Sequence, residues 1–309
     1  MKSNMINGIL NIYKEKGFTS HDVVAKLRGI VKQKKIGHTG TLDPDAEGVL
    51  PVCLGRATKV CELLSDKDKV YEAVLLLGKS TDTQDISGEV LEEHETGHLQ
   101  AEEVRACIES YIGEYEQLPP MYSALKVNGK KLYELAREGI EVERKKRKVT
   151  IFDIEILEMA LPRVRMRVHC SKGTYIRTLC HDIGQDLNTG GCMESLLRTK
   201  VSCFELQDSY TLAQVEELVS KEQLDEILLP IDEMFSDHKA IYVKKKYEAL
   251  AVNGNPFPIK AVENPENYEN QETVCVYDGN HRFIGLFEYR GGKQDFKVKK
   301  MFLDQETGK

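Results

Sequence analysis

Apolar positions along this chain recur at two spacings, and the spacing divides it into elements. Asn7 to Lys16 reads as a short apolar strand, GILNIY, that ends in a turn at Gly17. Ser20 then caps a helix on which Val23, Val24, Leu27, Ile30 and Val31 return every three or four residues, with Asp22 in the first turn where the helix dipole favours it. Beyond Gly55, RATKVCELLSDKDK places Ala57, Val60, Cys61 and Leu64 on one helical face, and Val70 to Leu77 is a continuous apolar run expected of a buried strand. Ala101 to Ile112 is amphipathic and stops at Gly113; Lys130 to Glu138 makes a shorter helix that stops at Gly139. VTIFDIEIL and RVRMRVHC follow as strands, the second alternating Arg163, Arg165 and Arg167 with Val164, Met166 and Val168. Ile176, Leu179, Ile183 and Leu187 carry a buried helical stripe, MESLLRTKVSCF is a further apolar-periodic element, and Thr211 caps LAQVEELV. From Ala240 the texture changes to short β-like pieces: AIYV, VCVY before an Asp278-Gly279 turn, FIGLFEY and FKVKKMFL. The pattern predicts a larger unit of helices and strands over residues 1–237, followed by a small all-β domain over 238–309.

One stretch breaks both periods. Gly37 to Gly55, GHTGTLDPDAEGVLPVCLG, holds four glycines and two prolines and reads as a loop between buried elements. His38, Thr39, Thr41, Asp43, Asp45 and Glu47 crowd into it. A phosphate-cradling loop needs Gly-Lys-Ser/Thr, but Thr41-Leu42 follow Gly40 and Val49 follows Gly48, so no lysine is placed to reach a phosphate. What remains is an Asp-centred site: Pro44 biases Asp43 toward an extended backbone and holds its carboxylate. Tyr71, near the start of its strand, is at this level equally a core residue. Arg177 is equally a surface cation with a packed stem, and gains interest only with Asp43 as its partner.

Composition narrows the class. With 41% hydrophobic and 30% charged residues the chain reads as a soluble globular protein. The MKSNMINGIL start is too short in apolar residues for a signal peptide, and no run suits a membrane span, so the expected location is cytoplasmic. Eight cysteines without a CxxC pair imply neither a zinc cage nor a disulfide framework, and are expected as buried reduced thiols. The net charge of −7 disfavours a polyanion partner only on average. Asp85 to Glu116 carries ten acidic residues against Arg105 alone, whereas Lys126 to Lys148 carries nine basic and four acidic, and Arg163 to Arg177 five basic and no acidic. One such strip is an ordinary solvated face; several together form the footprint of a phosphate backbone. Arg290, Lys293, Lys297, Lys299 and Lys300 make the edge of the C-terminal unit basic.

GHTGTLDPDAEGVLPVCLGRATKV resembles the active-site motif of the TruB-type tRNA pseudouridine synthases. KVYEAVLLLGKSTDTQDISGEV, PPMYSALKVNGKKLYELAREGI and CSKGTYIRTL resemble three further motifs of that family, in order and at fitting spacing. The resemblance implies an α+β fold, a mixed β-sheet core with flanking helices in the pseudouridine synthase fold, plus a PUA-like RNA-binding domain at the C-terminus. It implies isomerisation of uridine at position 55 of the tRNA T loop, with no cofactor, no metal and no protein partner, by a monomer. It assigns Asp43 as the catalytic aspartate, Tyr71 as the tyrosine stacked on the target base, and Arg177 as the partner of Asp43. His38, Thr39, Lys172, Tyr175 and Leu197 fall at positions that hold the RNA or the flipped uridine. Two departures stand out. Tyr13-Lys14-Glu15-Lys16-Gly17 replaces a DKPxG-like turn, and Glu47 stands where relatives carry a small or hydroxyl residue, so Glu47 is expected to point away from Asp43.

The residue types suit the chemistry. Swinging a uridine out of a stacked loop costs a few kcal/mol, recovered by stacking and hydrogen bonds. An ionised aspartate then serves as nucleophile at C1′ or as base at the ribose. RNA read by shape through cationic strips binds with steep salt dependence. Two other classes compete: a tRNA-binding or chaperone module with a vestigial loop, and a guide-dependent relative inside a ribonucleoprotein.

Overall fold

A computed structural model describes residues 5–303, so the first four residues of the MKSNMINGIL start lie outside the described residues. The larger unit is built on one mixed sheet. Its main strands are β1 (Gly8–Lys14), β2 (Ile36–His38), β3 (Glu47–Leu54), β4 (Lys69–Leu77), β5 (Gly113–Gln117), β6 (Arg147–Ala160), β7 (Arg163–Cys170) and β8 (Gly191–Val201). They lie in the order β1-β3-β8-β4-β7-β6-β5, with β2 paired to β3. The β3–β8 pair is parallel and the others are antiparallel. Four helices flank it: α1 (Ser20–Ile30), α2 (Ala101–Glu109), α3 (Ile176–Asp186) and α4 (Leu212–Ser220). Among the described residues no helix is long and apolar enough to cross a membrane.

The stretch expected to be a loop is in large part a strand. Residues 48–54 are all buried because β3 is covered on both faces. Leu50, Val52 and Leu54 pack with α1 and α4, whereas Val49 and Cys53 pack with Phe235, Leu286 and Phe302. A strand buried on both sides needs no alternation, so its signal in sequence is a plain apolar run. Pro51 is tolerated because its carbonyl, and hence its donor-less nitrogen, faces the point where β2 ends: Thr39 N–H donates to Pro51 O at 3.2 Å. Gly48 is required, with φ +103° and the Arg198 carbonyl oxygen 2.2 Å from where a Cβ would sit. Only residues 39–46 remain as the loop that carries Asp43.

At the start of α1 the capping residue is Thr19, not Ser20. Thr19 and Asp22 close a reciprocal capping box. Ser20 is buried, and its Oγ instead accepts the Leu42 N–H at 2.9 Å, which ties the helix start to the Asp43 loop.

The C-terminal unit is a five-stranded sheet: β9 (Lys239–Tyr242), β10 (Phe257–Pro258), β11 (Thr273–Tyr277), β12 (Phe283–Arg290) and β13 (Asp295–Met301), in the order β9-β11-β12-β13-β10. Strand β13 is thus not an outer edge, and Arg290 is occupied by a two-pronged ion pair with Asp295. Phe235, Phe283 and Phe302 stack where the two units meet. All eight cysteines are free, but Cys203 is exposed and Cys61 and Cys107 are only half-buried.

Candidate active site

Asp43 stands on the 39–46 loop, and that loop is hung from the N-terminal strand and helix. Lys14 is fully buried, and its ammonium donates to the carbonyls of Pro44 at 3.1 Å, Ala46 at 2.6 Å and Glu15 at 3.1 Å. Gly17 N–H donates to Pro44 O, and Ala46 N–H to Asp43 O, which closes the turn. Burial pulls the Lys14 pKa down to about 8, with the nearby Glu47, Asp43 and Asp45 carboxylates opposing it. A methionine at position 14 keeps the length but orphans buried carbonyls. Lys14→Met is therefore expected to cost about 3 kcal/mol in urea unfolding. An unchanged midpoint would refute the strut.

Arg177, near the start of α3, is the junction of the site. Its guanidinium grips Asp43 with two prongs, Nε to Oδ2 at 3.1 Å and Nη2 to Oδ1 at 3.4 Å. It also donates to Thr83 O at 3.1 Å and Tyr122 O at 2.9 Å, and Nη1 lies 3.4 Å from Asp85 Oδ2. Three separate segments, 43, 83–85 and 122, thus converge on one planar cation. The Arg177 side chain is 6% exposed and the Asp43 side chain 41%, so the carboxylate is open to solvent on one side while its partner is sealed behind it. Partial desolvation raises the Asp43 pKa; Arg177 pulls it down, and Asp85 pushes it up.

Tyr71 lies on β4, buried, in the cluster that also holds Leu42 and Ala46 of the loop. Burial raises its pKa, the Arg198 guanidinium facing its hydroxyl opposes this, and the Asp43 charge adds to the rise. Asp43, Tyr71 and Arg177 are therefore brought together from a loop, a strand and a helix.

The remaining expected residues divide. His38 is half-buried beside the loop, edge-to-face with His21 at 5.3 Å. Its Nδ1 accepts the Gly40 N–H at 3.3 Å, and burial, then His21 and Arg198, lower its pKa. Tyr175 precedes α3, with its backbone N–H and O both bonded to the Gln117 amide. Thr39 is only 1% exposed, inside the wall behind the loop. Lys172 is on the outer rim, paired with exposed Asp66 at 2.8 Å. Leu197 is opposite Glu72 across the β8–β4 pair, on the sheet face away from Tyr71; Leu196, opposite Ala73, packs on the Tyr71 side. The leucine that shares the Tyr71 face is therefore Leu196, not Leu197.

The two departures from the family pattern meet each other. Tyr13 Oη donates to Glu47 Oε1 at 3.0 Å, so the extra carboxylate is held by a phenol of β1. Of the cationic strips, the Arg163–Arg177 one is largely neutralised: Arg163 pairs with Glu194, Arg165 with Glu72, and Arg167 with Glu72 and Glu155. In the Lys126–Lys148 strip, Lys130, Arg144 and Lys148 are paired with Glu138, Glu141 and Glu114, while Lys126, Lys145, Lys146 and Arg147 are exposed and in no ion pair among the described residues.

Sequence reasoning missed Lys14, Asp85 and Arg198. Lys14 shares the parity of Leu10 and Ile12, and Arg198 that of Leu196, which was a usable signal for buried cations. Asp85 had no signal, being one carboxylate in an acidic block.

Comparison with known proteins gives a consistent result. Residues 28–176 match the N-terminal domain of the TruB family pseudouridylate synthases, and residues 177–236 match a tRNA pseudouridylate synthase B C-terminal domain. The tRNA pseudouridine synthase B of Lachnoclostridium phytofermentans is 53% identical, over 96% of this chain and 100% of its own length. That of Alkaliphilus oremlandii is 50% identical, over 97% of this chain and 100% of its own. Among solved structures, a chain of a Cbf5-Nop10-Gar1 complex is 26% identical with a TM-score of 0.70, covering 96% of this chain and 85% of that one. A chain of an H/ACA RNP bound to a substrate RNA, 23% identical with a TM-score of 0.70, covers 97% of this chain and 86% of its own, and bears on the fold alone.

Proposed function

Because this chain belongs to the TruB family of pseudouridylate synthases, we propose that it isomerises uridine to pseudouridine at position 55 in the T loop of tRNA, with Asp43 as the catalytic carboxylate. The coarse activity, uridine to pseudouridine in tRNA, follows from the family. The observation that carries the finer assignment is the two-pronged Arg177–Asp43 pair, sealed behind and open in front, beside the buried Tyr71.

The reaction breaks N1–C1′, turns the uracil and joins C5 to C1′. Asp43 acts as nucleophile at C1′ or as base at the ribose, and either role requires the carboxylate. Arg177 aims it and favours its charge. Tyr71 offers a ring for stacking the flipped base and a hydroxyl within reach of C5 chemistry, and Leu42 and Leu196 supply apolar cover that keeps the detached uracil in place. His38 and Tyr175 line the approach of the loop. The exposed Lys126–Lys148 strip and the all-β unit over 238–309, read as PUA-like, hold the rest of the RNA, with residues 1–237 as the catalytic domain. We read the chain as a monomer that needs neither cofactor nor guide; relatives named as tRNA enzymes, aligned with it over their whole lengths, support a tRNA enzyme over a ribonucleoprotein subunit.

Purified protein mixed with an unmodified T-arm hairpin and no guide tests this. Modification at the T-loop uridine is expected; modification only with added partners would overturn the stand-alone reading. The pH dependence follows from the site. Since the Asp43 pKa is raised, the rate should fall on acidification at a higher pH than an ordinary carboxylate near 3.9 would give. Asp85→Asn removes a negative neighbour and is expected to move that acid limb to lower pH, read from single-turnover rates. A limb that moves up, or stays, contradicts the electrostatic assignment.

A further inference from the structure

Arg198 takes no part in the chemistry above, yet it is 1% exposed and heads the largest enclosed side chains of the protein. It stands on β8 directly across from Tyr71 on β4. Its Nε donates to Val49 O at 2.7 Å and its Nη2 to Gly40 O at 3.3 Å. Those two carbonyls bracket the Asp43 loop, one at each end. Its own backbone is pressed against Gly48, the residue that lets loop and strand approach so closely. Cross-strand pairing sets the guanidinium beside Tyr71, where its positive charge opposes the burial that raises the phenol pKa. Among the described residues its partners are carbonyls and a phenol rather than a carboxylate. Burying a guanidinium without an ion pair forfeits its hydration with no opposite charge in return, so stability alone is a poor reason for it to be there.

We propose that Arg198 is a positioning residue for the isomerisation, one buried cation that ties both ends of the Asp43 loop to the strand carrying Tyr71 and fixes the orientation of the Tyr71 hydroxyl. A guanidinium only donates, so the phenol oxygen facing it accepts, and the phenol's own proton is directed elsewhere. The same cation favours negative charge that develops on that oxygen. Lysine preserves the charge but not the planar fork that reaches Gly40, Val49 and Tyr71 at once.

The inference rests on the proposed activity, and a double-mutant cycle separates the two. Single-turnover conversion of the T-arm hairpin and hairpin affinity are measured for wild type, Arg198→Lys, Tyr71→Phe and the double variant. Arg198→Lys is expected to slow conversion about 30-fold with affinity within about threefold, as for a misplaced reacting group. On the Tyr71→Phe background the same change is expected to cost several-fold less than on wild type, because the hydroxyl it orients is gone and only its hold on the Asp43 loop remains to be lost. An equal cost on both backgrounds, a wild-type rate for Arg198→Lys, or a loss confined to affinity overturns the proposal. Arg198→Gln serves as the second variant, and failure of both to fold would mark Arg198 as structural support and also overturn it. A wild-type protein that leaves the hairpin unmodified defeats the activity itself, whereas an active wild type with additive effects defeats only the role of Arg198.

Discussion

Asp43→Asn is expected to lower pseudouridine formation by on the order of 10⁴-fold while hairpin affinity stays within about threefold. The amide keeps the shape of the side chain and its contact with one prong of Arg177, but can neither attack C1′ nor take a ribose proton. On the proposed reading, affinity is carried elsewhere, by exposed Lys126, Lys145, Lys146 and Arg147 and the surfaces around Asp43. Stability should not fall. The folded-state pKa of Asp43 is raised, so the folded protein holds this proton more tightly than the unfolded chain does. Ionisation as pH rises through that pKa therefore opposes folding. Asparagine removes that opposition near neutral pH, and a thermal melt at pH 7 should place the variant at or above wild type. A variant that still forms product would remove Asp43 from the chemistry.

Arg177→Met is the second large effect, and of a different kind. The change leaves Asp43 and Asp85 facing each other without their shared cation, and strips Thr83 O and Tyr122 O of their donor. Breaking a buried pair by removing one partner costs about 3–5 kcal/mol, so the unfolding midpoint should drop clearly. Activity should fall about 10³-fold, and the residual activity should show its acid limb at higher pH, because the group that holds the Asp43 pKa down is gone. Arg177→Lys is expected to recover most of the stability and little of the rate, since a point charge cannot hold three segments. Equal rescue of both would mean that charge, not geometry, is what Arg177 supplies.

Much of the architecture was legible in sequence because it rests on period and parity. The α3 stripe of Ile176, Leu179 and Ile183 and the Val164, Met166 and Val168 alternation of β7 are both buried as spaced. What was not legible has a common cause: a partner distant in sequence changes what a residue is. Gly48 to Leu54 is a strand because two different layers cover it, and nothing local shows the second layer. Arg163, Arg165 and Arg167 suggested a phosphate face until Glu72, Glu155 and Glu194 came in from three other strand positions to pair with them. Lys14 lay in a turn that departs from its family's pattern, yet the lysine itself carries the Asp43 loop. Leu197 and Leu196 differ by one position, and in a strand one position is the other face. The carboxylate, its arginine and the tyrosine were identified by motif; their support was visible only in three dimensions.

The Tyr13–Glu47 hydrogen bond shows the same principle at the edge of the site. Each residue alone is a departure, and together they form a pair that occupies the extra carboxylate. Burial, then Glu47, raises the Tyr13 pKa, so the phenol remains a donor across the working range of pH.

The central claim is that this chain alone breaks and remakes a glycosidic bond in the T loop through Asp43. Replacing the C5 hydrogen of the target uridine is inseparable from that reaction. The direct measurement is tritium release from a T-arm hairpin labelled at C5 of its uridines, with excess protein and no guide or partner. Release of one equivalent per hairpin by wild type, from the T-loop position, and none by Asp43→Asn is the predicted result. No release by wild type, or equal release by both proteins, would contradict it.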